Sequence, residues 1–164
     1  MSNHPYYDTI LLIERLHRNF LEGLKVQLER LGLRDINNIQ ALILYNIASD
    51  ELTIGELTQR GYYLGSNVSY NIRKMVDNDY LKQVRSKHDR RSVRVSLSDK
   101  GNDLREKMIE LFESQVEKLE TSNISKEQLT QTNASLQNLE KFWSMYSDYT
   151  SQAFGGGYRY QTGF

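Results

Sequence analysis

Two hydrophobic rhythms divide this sequence, and the switch between them is its strongest constraint on the fold. Along most of the chain, apolar residues recur every three or four positions, the period of a helix. Near Val93 the period drops to two: Val93, Val95 and Leu97 alternate with Arg94 and Ser96. A polar basic segment, Lys87-His88-Asp89-Arg90-Arg91, precedes that run. Strands are therefore expected at 82–86 and 92–97, joined by a short turn. Proline occurs once, at Pro5, so no proline interrupts a helix beyond it. The expected class is mainly α with a small β element.

The helical stretches have legible ends. Ile13, Leu16, Phe20, Leu24, Leu28 and Leu31 predict a first helix over 5–31, stopped by Gly32. Ile36, Ile39, Leu42, Ile43 and Ile47 predict a second over 36–48, with Asp35 as its cap. Thr53-Ile54-Gly55-Glu56 is a capping box that starts a short helix at Ile54, ending near Tyr62. After Gly65, Ser66 is read as the cap of another helix reaching Asn78. Its apolar side is Val68, Ile72, Met75 and Val76; Ser66, Asn67, Tyr70, Arg73 and Lys74 lie opposite. Two short helices around a glycine form a helix-turn-helix pattern, and the hairpin after it makes a winged helix of residues 36–98. Ser98 then caps a helix to about Thr121, carrying Leu104, Met108, Leu111, Phe112, Val116 and Leu119. Ser125-Lys126-Glu127-Gln128 is a second capping box, opening a helix that ends near Tyr149. Residues 151–164, with Gly155-Gly156-Gly157-Tyr158-Arg159-Tyr160, are expected to form a flexible tail.

Composition narrows the function. The chain has 164 residues, which suits one domain over 1–150 with a core needing no metal or disulfide. Cysteine is absent, excluding thiolate zinc sites, cysteine nucleophiles and thiol redox sensing within the chain. No apolar run is long enough to span a bilayer, and no export signal is visible, so the cytoplasm is the expected location. The net charge of zero hides an asymmetry. From Arg60 to Arg94 there are nine basic and three acidic residues, net +6, so the remainder is −6. A basic centre in an acidic frame fits a polyanion partner; a solvated charged surface is the alternative.

The segment Asp89 to Gly101 resembles the wing signature of the MarR family of bacterial transcription regulators. That pattern is Asp-x-Arg, three residues, an aliphatic, one residue, Leu, Thr or Ser, two residues, Gly. Asp89, Arg91, Val95, Leu97, Ser98 and Gly101 match it. Leu52-Thr53-Ile54-Gly55-Glu56-Leu57 is similar to the family's opening of the first short helix, and Ser66-Asn67-Val68-Ser69 to the start of its recognition helix. Asn78-Asp79-Tyr80-Leu81 matches an Asn-Gly-Tyr-Leu turn with Asp79 in place of glycine, and Asp tolerates a left-handed backbone better than most residues. Gly61-Tyr62-Tyr63-Leu64-Gly65-Ser66 also resembles a subgroup controlling cell-wall remodelling, the LdtR-like regulators. The resemblance implies a winged-helix homodimer on a pseudo-palindromic operator in double-stranded DNA, released by a small, commonly aromatic or phenolic effector, with cell-wall or stress genes as targets.

Candidate DNA contacts follow. On the recognition helix these are Ser66, Asn67, Ser69, Tyr70, Asn71, Arg73 and Lys74. Asn pairs with adenine and Arg with guanine in the major groove. Asn67, Tyr70 and Lys74 point most directly away from the apolar side and are the base-facing candidates; Arg73 and Ser66 are assigned to phosphates. In the wing the candidates are Arg85, Lys87, His88, Arg90 and Arg91. A guanidinium at the wing tip suits a narrow A·T minor groove, and the resemblance gives that role to Arg91, oriented by Asp89. The alternatives are an ordinary solvent face and a solubilising arginine-rich hairpin. Effectors in the family lie between the dimer helices and the DNA-binding lobe, which makes His17, Phe20, Tyr45 and Phe112 candidate ligand contacts; core or dimer packing is the alternative.

No catalytic or cofactor motif is present, neither phosphate loop nor nucleophile elbow, so an enzyme is not expected. Glu14 and His17 share a helix face but fall short of the three or four ligands a zinc site needs, so no metal is expected either. The terminal helices carry Tyr6, Tyr7, Ile10 and Leu11 at one end and Phe142, Trp143, Tyr146 and Tyr149 at the other. A homodimer through both termini would cover them; packing within one chain is the alternative. The remaining reading is a winged-helix protein-interaction module without specific DNA binding, which Arg73 and Lys74 on the recognition helix speak against.

Overall fold

The computed structural model describes residues 4–47, 51–61, 65–85 and 93–153, with side chains described there except at 58–61, 65–67, 85 and 147–153. Six helices and three strands run in the order α1 (Pro5–Arg30), α2 (Asn38–Ile47), β1 (Leu52–Thr53), α3 (Ile54–Gly61), α4 (Gly65–Asp77), β2 (Leu81–Arg85), β3 (Val93–Leu97), α5 (Asp99–Glu120) and α6 (Lys126–Ala153). The class is mainly α with a small antiparallel wing, as the two rhythms predict. The chain forms two compact units, residues 1–108 and 109–164, with the boundary inside α5.

Two helix ends in the first unit are closed by the same device. At the end of α1, Gly32 has φ 74°. The N–H of Gly32 donates to Glu29 C=O and that of Leu33 to Leu28 C=O, each at 3.0 Å, the paired bonds of a Schellman motif. At the end of α4 the left-handed residue is Asp79, φ 61°. Its N–H donates to Val76 C=O at 3.1 Å, and the Tyr80 N–H to Met75 C=O at 2.8 Å. Aspartate thus occupies the place the resemblance gives to glycine, and the turn survives.

Helix starts agree with the sequence at three boundaries and correct it at two. Thr53 and Glu56 close the reciprocal capping box at α3: the Glu56 N–H donates to Thr53 Oγ1 at 3.2 Å, and the Thr53 N–H to Glu56 Oε2 at 2.7 Å. Ser125 and Gln128 do the same for α6, at 3.2 and 2.8 Å. Ser98 Oγ accepts from the Gly101 N–H at 3.0 Å and opens α5. Asp35, however, is not the cap of α2. Asn37 is: its Oδ1 accepts from the Gln40 N–H at 2.9 Å, and Gln40 Oε1 accepts from the Asn37 N–H at 3.1 Å. Asn and Gln build a capping box as well as Thr and Glu do, so the asparagine two residues on competes successfully with the aspartate. Ser66 is likewise inside α4, which begins at Gly65. At the far end α6 runs to Ala153, so residues 151–153 are helical; 154–164 lie outside the described residues.

The sheet has one strand more than the expected pair. Its order is β1-β3-β2, all antiparallel, with Leu52 opposite Val95 and Gln83 opposite Val95 on the other side. A strand of only two residues leaves no period to read. Arg94 secures that edge, donating from Nη1 to Glu51 C=O at 3.1 Å. The core of the first unit draws on each of its helices and on the central strand: Leu24 and Leu28 of α1, Leu44 and Ile47 of α2, Leu57 of α3, Ile72 and Met75 of α4, Val95 of β3, and Leu104 and Met108 of α5 are buried. In the second unit Leu111, Phe112, Leu119 and Leu139 are half-buried, and the Phe142 and Tyr146 rings stack at 6.2 Å.

Candidate nucleic-acid interface

Helix α4 is held by one face and presents the other. Val68, Ile72 and Met75, spaced four and three apart, are buried to 1 % exposure or less. This fixes the rotation of the helix about its axis, because the core face cannot turn out without exposing all three. The opposite face follows from that. Ser69, Arg73 and Lys74 are exposed, and Tyr70 is 60 % exposed, an unusual state for so large an aromatic ring. Asn71 is half-buried at the flank. Ser66 and Asn67 belong to the first turn of α4 by their backbone; their side chains lie outside the described residues. A face with a cation pair, a hydroxyl and an aromatic has the donors to grip phosphates and base edges.

The wing begins beside this helix. Lys82, Gln83 and Val84 of β2 are exposed, and Lys82 pairs with Asp99 at 3.4 Å. Arg85 ends β2, with its side chain outside the described residues; Lys87, His88, Asp89, Arg90 and Arg91 also lie outside them.

One cluster behind the interface carries no signal at the sequence level. The Tyr80 hydroxyl donates to Asp35 Oδ1 at 2.7 Å, and Lys100 Nζ donates to Asp35 Oδ2 at 2.6 Å. The same ammonium donates to Asn78 C=O at 3.0 Å and sits 4.1 Å from the centroid of the Tyr80 ring. The Lys100 ammonium and, less strongly, the Tyr80 hydroxyl hold the Asp35 carboxyl below the usual carboxylate range against the opposing effect of burial. Burial, and then the hydrogen bond to Asp35, pushes the Tyr80 phenol above its ordinary value. The partners are 45 and 65 residues apart, so only the fold brings them together.

The candidate effector residues are placed as follows. His17 and Phe20 are exposed on α1, Tyr45 is half-buried on α2, and Phe112 is half-buried in the second unit. A cavity of about 460 Å³ opens in the first unit where α1 meets α2, lined by Leu28, Leu33 and Ile36 with Lys25, Glu29, Arg34, Asn37 and Asn38 around them. None of the four candidates lines it. Among the described residues, no group of three or more His, Cys, Asp or Glu is placed to hold a metal, and no helix is long and apolar enough to cross a membrane.

Known proteins share both sequence and architecture with this chain. Residues 36–101 match the family model of a winged helix DNA-binding domain. Over 99 residues, 60% of this chain, the sequence is 41% identical to the exopolysaccharide II synthesis transcriptional activator ExpG of Rhizobium meliloti (strain 1021). The chain spans about half the length of that relative, 51%. The crystal structure of Streptococcus pneumoniae FabT in complex with DNA superimposes with a TM-score of 0.71 at 21% identity, covering 86% of this chain and 99% of that one. A MarR protein from Peptoclostridium difficile gives 0.72 at 18% identity, covering 86% and 88%. The buried face of α4 and these matches agree on the fold: residues 36–101 match a winged helix DNA-binding domain, in a chain whose architecture is similar to that of the MarR protein and FabT structures.

Proposed function

We propose that this protein is a sequence-specific DNA-binding transcription regulator that acts as a homodimer on a pseudo-palindromic operator. The observation that carries the reading is the outward face of α4: Ser69, Tyr70, Arg73 and Lys74 exposed over a buried Val68, Ile72 and Met75. A helix fixed by its core side and furnished with cations and an aromatic on the other suits the major groove. Asn67, at the start of the same helix, completes the base-facing set, and Arg85, Lys87, His88, Arg90 and Arg91 of the wing supply backbone and minor-groove contacts. The relative ExpG is a transcriptional activator and FabT was crystallised on DNA, which supports the same role here.

The homodimer reading rests on apolar side chains left exposed on the terminal helices. Tyr7, Ile10, Leu11 and Leu16 of α1 and Phe142, Trp143, Met145 and Tyr146 of α6 are each at least 36 % exposed, and a second copy would cover them. A small aromatic or phenolic effector acting near His17, Phe20, Tyr45 and Phe112 would modulate binding. The protein works in the cytoplasm, by binding and not by catalysis, and cell-wall or stress genes are its proposed targets.

The test is selection of bound duplexes from fragmented genomic DNA, followed by sedimentation of the protein with and without the selected duplex. The reading expects an enriched pseudo-palindrome bound by two copies of the chain. Enrichment of no duplex over random DNA would contradict it and leave the protein-interaction reading.

A further inference from the structure

We infer that Asp35, Tyr80 and Lys100 are positioning residues for DNA recognition, setting the direction of α4 from a side that never meets the DNA. The inference rests on the DNA-binding reading above and adds to it which groups orient the recognition helix.

The carboxylate of Asp35 sits between two donors, the Tyr80 hydroxyl and the Lys100 ammonium. These belong to three different parts of the first unit: the α1–α2 loop, the turn after α4, and the first turn of α5. The turn after α4 is then gripped at successive residues. Asn78 Nδ2 donates to Asp35 C=O at 2.6 Å, and Asn78 C=O accepts from Lys100. Asp79 C=O accepts from the Ser98 hydroxyl. Tyr80 C=O accepts from the Ser98 N–H at 3.1 Å. The first turn of α5 presses against the same carbonyl, since a Cβ on Gly101 would lie 2.2 Å from it. The hinge between α4 and β2 is therefore over-determined, and it contains the one non-glycine left-handed residue among those described, Asp79. Strained backbone persists where the surroundings hold it, which is how a direction is fixed.

A buried tyrosine alone would serve packing. The Tyr80 ring is 1 % exposed and does so. The charged partners differ, because the Asp35 and Lys100 side chains are 46% and 45% exposed and contribute little core. Exposed ion pairs add little stability, so what this one supplies is geometry: Lys100 reaches the Asp35 carboxylate, the Asn78 carbonyl and the Tyr80 ring face at once. Loosening it leaves the core intact and lets the C-terminal end of α4 sample other directions. If the competent direction falls to about a tenth of the population, affinity falls about tenfold.

The test compares wild type with Lys100→Met, Asp35→Asn and Tyr80→Phe, each shown folded by circular dichroism, on a duplex selected by the wild-type protein. Affinity is measured as a function of salt. The inference expects each variant to bind about tenfold more weakly, with an unchanged slope of log K against log salt because the phosphate-binding cations all remain. Lys100→Arg, which keeps a cation over the ring, should recover most of the affinity. Arg73→Ala is the control for a cation that binds phosphate directly and should reduce the slope by about one. Unchanged affinity in the folded variants would overturn the inference. So would a slope reduced by about one in Lys100→Met, which would make Lys100 a phosphate ligand. If the wild type itself selects no duplex, the DNA-binding reading has failed first; if it selects one and the variants bind it equally well, only the positioning role has failed.

Discussion

The winged helix and helix α6 both carry apolar side chains at helical spacing, and only the winged helix buries them. Between residues 36 and 101, Leu44, Ile47, Leu57, Val68, Ile72, Met75, Tyr80 and Val95 are each 1 % exposed or less. Along α6, every described side chain is exposed except the half-buried Leu139. Leu129, Leu136, Phe142, Trp143 and Tyr146 recur along α6 and are exposed, with Leu129 and Leu136 seven apart and Leu136 and Trp143 seven apart, the spacing of one helix face. Periodicity tells where an element's apolar face is. It does not tell whether the chain itself supplies the cover. The contrast separates a segment whose stability is its own from one whose apolar face is proposed to be completed by a second copy.

Substitutions can break this contrast, and the largest effect belongs to the buried side. Leu104→Ala empties a site that is 2 % exposed and should lower the unfolding free energy by about 2–5 kcal/mol in urea titrations. Gly101→Ala comes next. Its Cβ would meet the Tyr80 carbonyl at 2.2 Å, backbone that cannot step aside cheaply, so a loss of about 1–3 kcal/mol is expected.

Asp35→Asn should cost at most about 1 kcal/mol at neutral pH, because the pair with Lys100 is nearly half exposed. Its signature lies in pH. Asp35 has a folded value lowered from 3.8, so its contribution is present above 3.8 and is lost as pH falls through the lowered folded value. The stability difference between wild type and Asp35→Asn should therefore shrink as the pH is lowered from above 3.8 through that folded value, as measured by urea titration at each pH. The smallest effect on intrinsic stability belongs to α6. Met145, 73 % exposed, should tolerate replacement by Ser within about 0.5 kcal/mol in unfolding of the monomer. The same substitution should raise the concentration at which sedimentation detects dimers. A large loss of monomer stability would mean that α6 is covered within one chain.

Much of the fold was legible because its signals are local. The capping boxes at Thr53 and Ser125 and the cap at Ser98 each act over three residues, and all three form as expected. Gly32 and Asp79 mark their turns by residue type alone. The misreading of Asp35 shows where locality ends. As a cap it would have bonded two or three residues along, whereas its partners are Tyr80 and Lys100. Strand β1 escaped for the same reason, since its pairing with β3 spans more than forty residues and its own two residues show no alternation. On α4, burial of Val68, Ile72 and Met75 was legible from period, and exposure of Ser69, Tyr70, Arg73 and Lys74 follows from it. The wing tip is read from its signature alone, and its residues lie outside those described.

The proposed DNA recognition rests above all on the exposed side of α4. The decisive measurement is the affinity of wild type, Tyr70→Ala, Asn67→Ala and Arg91→Ala for a panel of single-base variants of the selected operator, with folding verified by circular dichroism. Tyr70→Ala and Asn67→Ala should relax the choice of base at one or two core positions, by about 1–3 kcal/mol for each bidentate pairing removed and less where Tyr70 packs on a thymine methyl. Arg91→Ala should weaken binding broadly and remove a preference for flanking A·T pairs. If Arg91→Ala shifts the core base preference while Tyr70→Ala and Asn67→Ala leave it untouched, the exposed face of α4 is not the reading surface.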